Sequence, residues 1–142
     1  MISLELARTL RAAGLAWTPQ PGDRFVVPDR EMDQDVFVIS DLAIDVHEFS
    51  SGTFIGFNGT TEWALDSIEQ GSVLWLPRET QLRELLADRF VRLEQAAKGF
   101  VVVTETDGIP QRYADPDVEC AYARALLTTL PLQPLRPKIR PL

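Results

Sequence analysis

The chain has 142 residues, 45% hydrophobic and 25% charged, an ordinary globular composition that excludes a disordered, collagen-like or disulfide-rich scaffold. Its 21 acidic residues against 14 basic ones give a formal charge of −7, which repels phosphate backbones and anionic lipid and excludes nucleic-acid binding driven by net charge. No run approaches the roughly 18 consecutive apolar residues of a membrane span, and the opening Met1-Ile2-Ser3-Leu4-Glu5-Leu6 lacks a secretory pattern, so a cytoplasmic protein without membrane or nucleic-acid partners is expected.

Ser3 is a good helix N-cap, and Leu6, Leu10 and Ala13 follow at helical spacing up to Gly14, so a short amphipathic helix opens the chain. The stretch Thr18-Pro19-Gln20-Pro21-Gly22-Asp23 interrupts regular structure, because two prolines remove backbone donors. Strands are expected at 25–27 and 35–39, separated by an acidic loop over 28–34. From Leu42 to Phe49 polarity alternates, and Ser50-Ser51-Gly52 returns the chain through a strand at 53–57, which together suggest an antiparallel meander. Thr60 or Thr61 can cap a helix reaching Gln70, with Gly71 as its stop.

Val73-Leu74-Trp75-Leu76 reads as a strand, because the residue before Pro77 is pushed toward extended geometry. Leu82, Leu85 and Leu86 form the apolar stripe of a helix, with Phe90 one turn beyond. Residues 90–93 and 100–104 flank a turn at Gly99 and form a hairpin whose second strand ends at Asp107-Gly108. Asp115-Pro116 then reads as an N-cap and first helical residue, with Val118, Ala121, Tyr122 and Ala125 as the buried stripe of a last helix to about Thr129. The fold class is α+β: an antiparallel sheet, meander plus hairpin, packed by about four short helices. One domain spans 1–130, and 131–142, with four prolines and Arg136, Lys138 and Arg140, is a basic proline-rich tail.

Most familiar chemistries fail residue by residue. The only lysines, Lys98 and Lys138, are followed by Gly99 and Ile139, so there is no Walker A motif. The spacing of Gly52, Gly56 and Gly59 does not match a dinucleotide fingerprint. Arg78-Glu79 invites a Nudix-type reading, but Leu82 and Arg83 stand where its metal-gathering carboxylates would be. Between Asp29 and Glu48 seven acids face one base, Arg30, yet Gln34 and Ser40 occupy the glycine and glutamate positions that a calcium loop needs. Cys120 reads as a small buried hydrophobe, and Trp17, Trp63, Trp75, Phe37, Phe54 and Phe57 read as core. Asp45 and His47 share a strand face beside Glu48 and Asp41; an oxygen and a nitrogen ligand side by side suit a transition metal, although two ligands do not make a site.

The opening Ile2-Ser3-Leu4-Glu5-Leu6-Ala7, the Leu76-Pro77 that leads into Gln81-Leu82-Arg83-Glu84-Leu85-Leu86, the hairpin, and Pro116-Asp117-Val118-Glu119-Cys120-Ala121 at the last helix resemble a group of small uncharacterised bacterial proteins, often phage-associated. The resemblance implies a plan of N-terminal helix, extended segment, second helix, hairpin and final helix, with residues 24–75 as an elaboration. Within it, Phe57-Asn58-Gly59-Thr60-Thr61-Glu62-Trp63-Ala64-Leu65-Asp66 resembles the signature of an actinobacterial subgroup, some of whose relatives are labelled pilus assembly protein CpaE. The pilus-assembly family of that name is similar to a deviant P-loop ATPase, and this chain lacks its lysine motif and is much shorter. The shared residues are helix-forming and packing residues, so the resemblance implies a fold and transfers no catalytic residue.

These observations favour a non-enzymatic cytoplasmic binding or interaction module that takes a protein partner, a second copy or a small ligand and needs no cofactor, with Asp41, Asp45, His47 and Glu48 as the contact surface. The alternative is a small metal-dependent hydrolase using the same residues. An open strand edge in the sheet would favour homodimerisation.

Overall fold

Ser3 begins the first helix by a side-chain cap. Its Oγ accepts the Leu6 N–H at 3.1 Å, and α1 runs Leu4–Ala12 with Leu6, Ala7 and Leu10 buried. Gly14, at φ +106°, ends it in a Schellman turn: the Gly14 N–H donates to the Arg11 carbonyl and the Leu15 N–H to that of Leu10. The computed structural model describes residues 1–28, 32–39, 45–49, 52–56, 67–69 and 73–130; for 32–34 and for the segments between 45 and 69 the description is of backbone alone. The chain divides into two compact units, Trp17–Leu76 and Met1–Ala16 with Pro77–Leu142. The tail at 131–142 lies outside the described residues.

The unit Trp17–Leu76 holds β1 (Arg24–Val27), β2 (Met32–Val38), β3 (Asp45–Phe49), β4 (Gly52–Gly56), β5 (Ser67–Glu69) and β6 (Leu74–Leu76). They form two three-stranded antiparallel sheets, in the orders β2-β1-β6 and β3-β4-β5, where one meander was expected. Register explains the core of the first. Phe25 stands opposite Phe37 on one side and Trp75 on the other, the Phe25 and Phe37 rings stack at 5.5 Å, and Trp17 stacks on Trp75 at 6.0 Å. Phe25, Val27, Ile39 and Val73 form the buried core here, with Trp17 and Phe37 packed half-buried against it. Asp23, itself buried, fixes the entrance to β1: its Oδ2 accepts the Trp17 indole N–H at 2.9 Å and the Gln20 N–H at 3.0 Å, while its carbonyl accepts the Ile39 N–H. The helix expected through Gln70 is corrected at its described end, because Ser67–Glu69 pairs with β4 as β5; residues 60–66 and Gln70 lie outside the described residues.

The other unit holds α1, α2 (Glu79–Leu86), a short 3-10 turn (Ala87–Arg89), β7 (Phe90–Ala96), β8 (Gly99–Thr106), β9 (Ile109–Asp115) and α3 (Val118–Leu127), so the described helices are three rather than four. The expected hairpin is a three-stranded antiparallel sheet in the order β7-β8-β9. Asp107-Gly108 does not end the sheet but turns it: both residues have positive φ, +53° and +78°, the geometry of a two-residue hairpin turn that leads into β9. The start of the last helix is corrected as well. Asp117, not Asp115, is the N-cap, accepting the Glu119 and Cys120 N–H groups at Oδ1, because Asp115 is still held by pairing with Phe100. Asp115 instead accepts the Asp117 N–H and the Arg124 guanidinium.

α3 packs against α1, α2, β8 and β9, and its first turn ties the other two helices to it. The Glu119 carboxylate accepts the Ile2 N–H at one oxygen and the Glu79 N–H at the other, each at 3.0 Å. The second bond matters because residue 78, at the cap of α2, is an arginine with no acceptor to offer; its own N–H goes to Gln81 Oε1 and the next N–H is served from α3. Burial works to raise the Asp117 pKa, but the N-terminal ammonium at 2.8 Å and the two helical N–H groups together hold it below the usual carboxylate value. Beneath this junction the buried Tyr122 ring stacks on Phe90 at 5.7 Å, and burial together with the Glu79 carboxylate pushes its phenol pKa up.

Three substitutions test this packing. A Cβ on Gly99, whose φ is +147°, would lie 2.5 Å from both the Asp115 carbonyl oxygen and the Pro116 Cα, so Gly99→Ala is expected to cost at least about 2 kcal/mol; Gly14→Ala, with open space around it, is expected to cost only about 1 kcal/mol of backbone strain. Glu119→Gln turns an amide N–H₂ toward one of two backbone donors and is expected to lower stability by about 1–3 kcal/mol. Urea unfolding checks all three, and an unchanged midpoint for Gly99→Ala or Glu119→Gln contradicts the packing described.

Candidate functional site

The residues singled out from sequence fall in the unit Trp17–Leu76. Asp41 lies outside the described residues. Asp45, His47 and Glu48 are on β3, where Asp45 and His47 take alternate positions opposite Gly56 and Phe54, and Glu48 takes the intervening position opposite Thr53. The backbone therefore puts Asp45 and His47 in the period-two relation expected of them. Among the described residues no group of three or more His, Cys, Asp or Glu side chains is placed to hold one metal ion. Trp17, Phe37 and Trp75, expected as core, are half-buried in the aromatic cluster of the first sheet, with Trp17 and Phe37 packed against its core; Trp63 and Phe57 lie outside the described residues. Cys120 is buried, and burial pushes its thiol pKa up, which keeps it in the unreactive protonated form. Among the described residues no helix is long and apolar enough to cross a membrane.

The side chains that the structure does bring together at a surface are on the β7-β8-β9 sheet. Register sets Arg92 and Arg112 on either side of Val103, and Glu94 and Ala114 on either side of Val101, so these residues share one face. Glu94 receives Arg112 Nη2 at Oε1 and Arg92 Nε at Oε2, each at 2.7 Å. Since Glu94 and Arg112 stand on the two outer strands, their ion pair spans β8 and its buried Val101 and Val103, whose apolar surface is flanked by the arginine stems. The hydrogen bonds from Arg112, then those from Arg92, hold the Glu94 pKa below its ordinary value.

The two edges of this sheet differ. β9 carries Pro110, which lacks an N–H, so that edge cannot present an unbroken row of donors. β7 contains no proline and, among the described residues, pairs only with β8. α3 packs on β8 and β9, and on β7 Val91 and Leu93 stay 41% and 36% exposed. A register shift between Phe90 and Arg92 leaves Val91 as an extra residue, after which 92–96 run regularly. The sequence signal for this edge is the alternation Val91-Arg92-Leu93-Glu94, which marks a half-exposed strand but does not say that no neighbour covers it.

An open row of backbone donors and acceptors, flanked by exposed apolar side chains and an ordered charge pair, can bind another extended polypeptide by adding it as a strand. Comparison with known proteins supplies no precedent: no family model, no curated protein and no solved structure matches this chain.

Proposed function

We propose that this chain is a binding module, not an enzyme, and that it takes a polypeptide partner by strand addition at β7. The observation that carries the reading is the contrast between the two edges of one sheet. β9 is blunted by Pro110, whereas β7 has no proline and runs regularly from Arg92 to Ala96, with Leu93 exposed on it. Strand addition derives affinity from main-chain hydrogen bonds and selectivity from alternate side chains, so it asks for a rigid sheet rather than a deep pocket. The sheet is backed by α3 on β8 and β9, and the Glu94–Arg112 ion pair spans β8 on its other face.

Leu93→Lys tests this reading, since it places a charge at the middle of the edge while altering a side chain that is already over one-third exposed. Immobilised wild-type chain challenged with a library of extended peptides is expected to retain sequences with alternating apolar residues, and Leu93→Lys to weaken them at least about tenfold with unchanged melting. Peptides held equally well by Leu93→Lys, or no retained peptide at all, would overturn strand addition as the mode of binding.

A further inference from the structure

We infer that the partner of β7 is β7 of a second copy of this chain, paired antiparallel about a twofold axis at Leu93, so that Arg92 of each protomer faces the partner's Glu94. The inference rests on the reading of β7 as a strand-adding edge and goes beyond it by fixing the partner and the register.

Geometry limits the choices. A twofold axis perpendicular to the joined sheet keeps the like faces of both copies on the same side, and directly opposed residues of antiparallel strands point the same way, so the axis must pass through a residue rather than between two. In the regular part of β7, an axis at Arg92 sets arginine against arginine and an axis at Glu94 sets glutamate against glutamate, both destabilising as directly opposed like charges. The axis at Leu93 is different. It opposes Arg92 to the partner's Glu94 twice, sets Leu93 against the partner's Leu93, and matches Val91 with the partner's Gln95.

The same arrangement continues an order already present within one copy. Arg112 on β9 is tied to Glu94 on β7 across β8, and the next charge in that row would be the partner's Arg92. Arg112, Glu94 and the partner's Arg92 then follow one another with alternating sign, with the apolar β8 between the first two. On the opposite face, Leu93 would lose its exposure to the partner's Leu93. β9 offers no axis that pairs opposite charges on both sides: at Arg112 two arginines oppose each other, at Gln111 Pro110 opposes Arg112, and at Tyr113 Arg112 meets Ala114. One strand edge is short against the roughly 1,200–2,000 Å² that stable interfaces bury in total, so the dimer is a concentration-dependent one with a dissociation constant of about 10–100 μM.

The test uses charge reversal in full-length chains. Arg92→Glu alone and Glu94→Arg alone each oppose like charges at both positions flanking the axis, whereas mixing the two variants opposes unlike charges at both. Sedimentation velocity from low micromolar to high micromolar concentration is expected to show a monomer–dimer equilibrium for wild type, dimerisation at least about tenfold weaker for each variant, and recovered dimer in the equimolar mixture. Wild type that stays monomeric, variants that dimerise as wild type does, or a mixture that stays monomeric would each overturn the inference. Glu94 also holds Arg112, so should Glu94→Arg fail to fold, Leu93→Cys provides the register directly. Ferricyanide oxidises its two apposed thiols to a covalent dimer under the proposed register, while Gln95→Cys, displaced from the axis, stays monomeric; the reverse result would overturn it. A monomeric wild type whose peptide binding is still lost on Leu93→Lys would retire self-pairing and leave strand addition standing, whereas loss of both would retire both.

Discussion

The carboxylate of Glu119 is the constraint on which the unit containing the three helices depends. It lies in the first turn of α3 and accepts backbone N–H groups at the starts of both α1 and α2, so one side chain ties the starts of three helices together. Helix starts carry unsatisfied donors and a partial positive charge, and a carboxylate answers both needs at once. α2 needs this most, because Arg78 at its cap has no acceptor. The other unit uses the same device. Asp23 gathers the Trp17 indole and the Gln20 N–H and so anchors the aromatic cluster at the start of β1.

The placement of α3 sets the character of the sheet beside it. The helix packs on β8 and β9, and an ion pair from β7 to β9 spans the other face of β8. The central strand is therefore buried along Val101–Thr104, while the outer strands keep exposed residues on both sides. A single residue type distinguishes the two edges: Pro110 denies β9 a donor, and nothing of the kind protects β7. Charged residues on an edge commonly discourage pairing. On β7 they do so for axes at Arg92 and Glu94, whereas the axis at Leu93 sets opposite charges against each other on both sides of it.

Local signals are legible in the sequence wherever a side chain acts on its own neighbours. The Ser3 cap, the Gly14 stop, the Leu82 and Leu86 stripe and the α+β class can all be read from spacing, and each is found. Leu85, expected in the same stripe, stays 37% exposed at the margin of the buried face. The failures have a common origin in longer-range competition. Asp115-Pro116 has every mark of a helix start, but strand pairing with Phe100 claims Asp115 and passes the cap to Asp117. Asp107-Gly108 reads as an end because a turn signal carries no information about the strand beyond it, and Ser67–Glu69 belongs to a strand through pairing with β4. The β7 edge is only half legible: alternation of Arg92 and Glu94 with apolar neighbours shows a half-exposed strand, yet its openness depends on where α3 and β9 lie.

Amide hydrogen exchange across a dilution series tests the account most directly, because it reads the β7 backbone without altering any residue. Raising the concentration through the micromolar range is predicted to slow exchange across residues 91–95 while leaving β9 exchange unchanged. Concentration-independent exchange at β7, or protection that appears at β9 instead, would contradict the claim that β7 is the pairing edge of this protein.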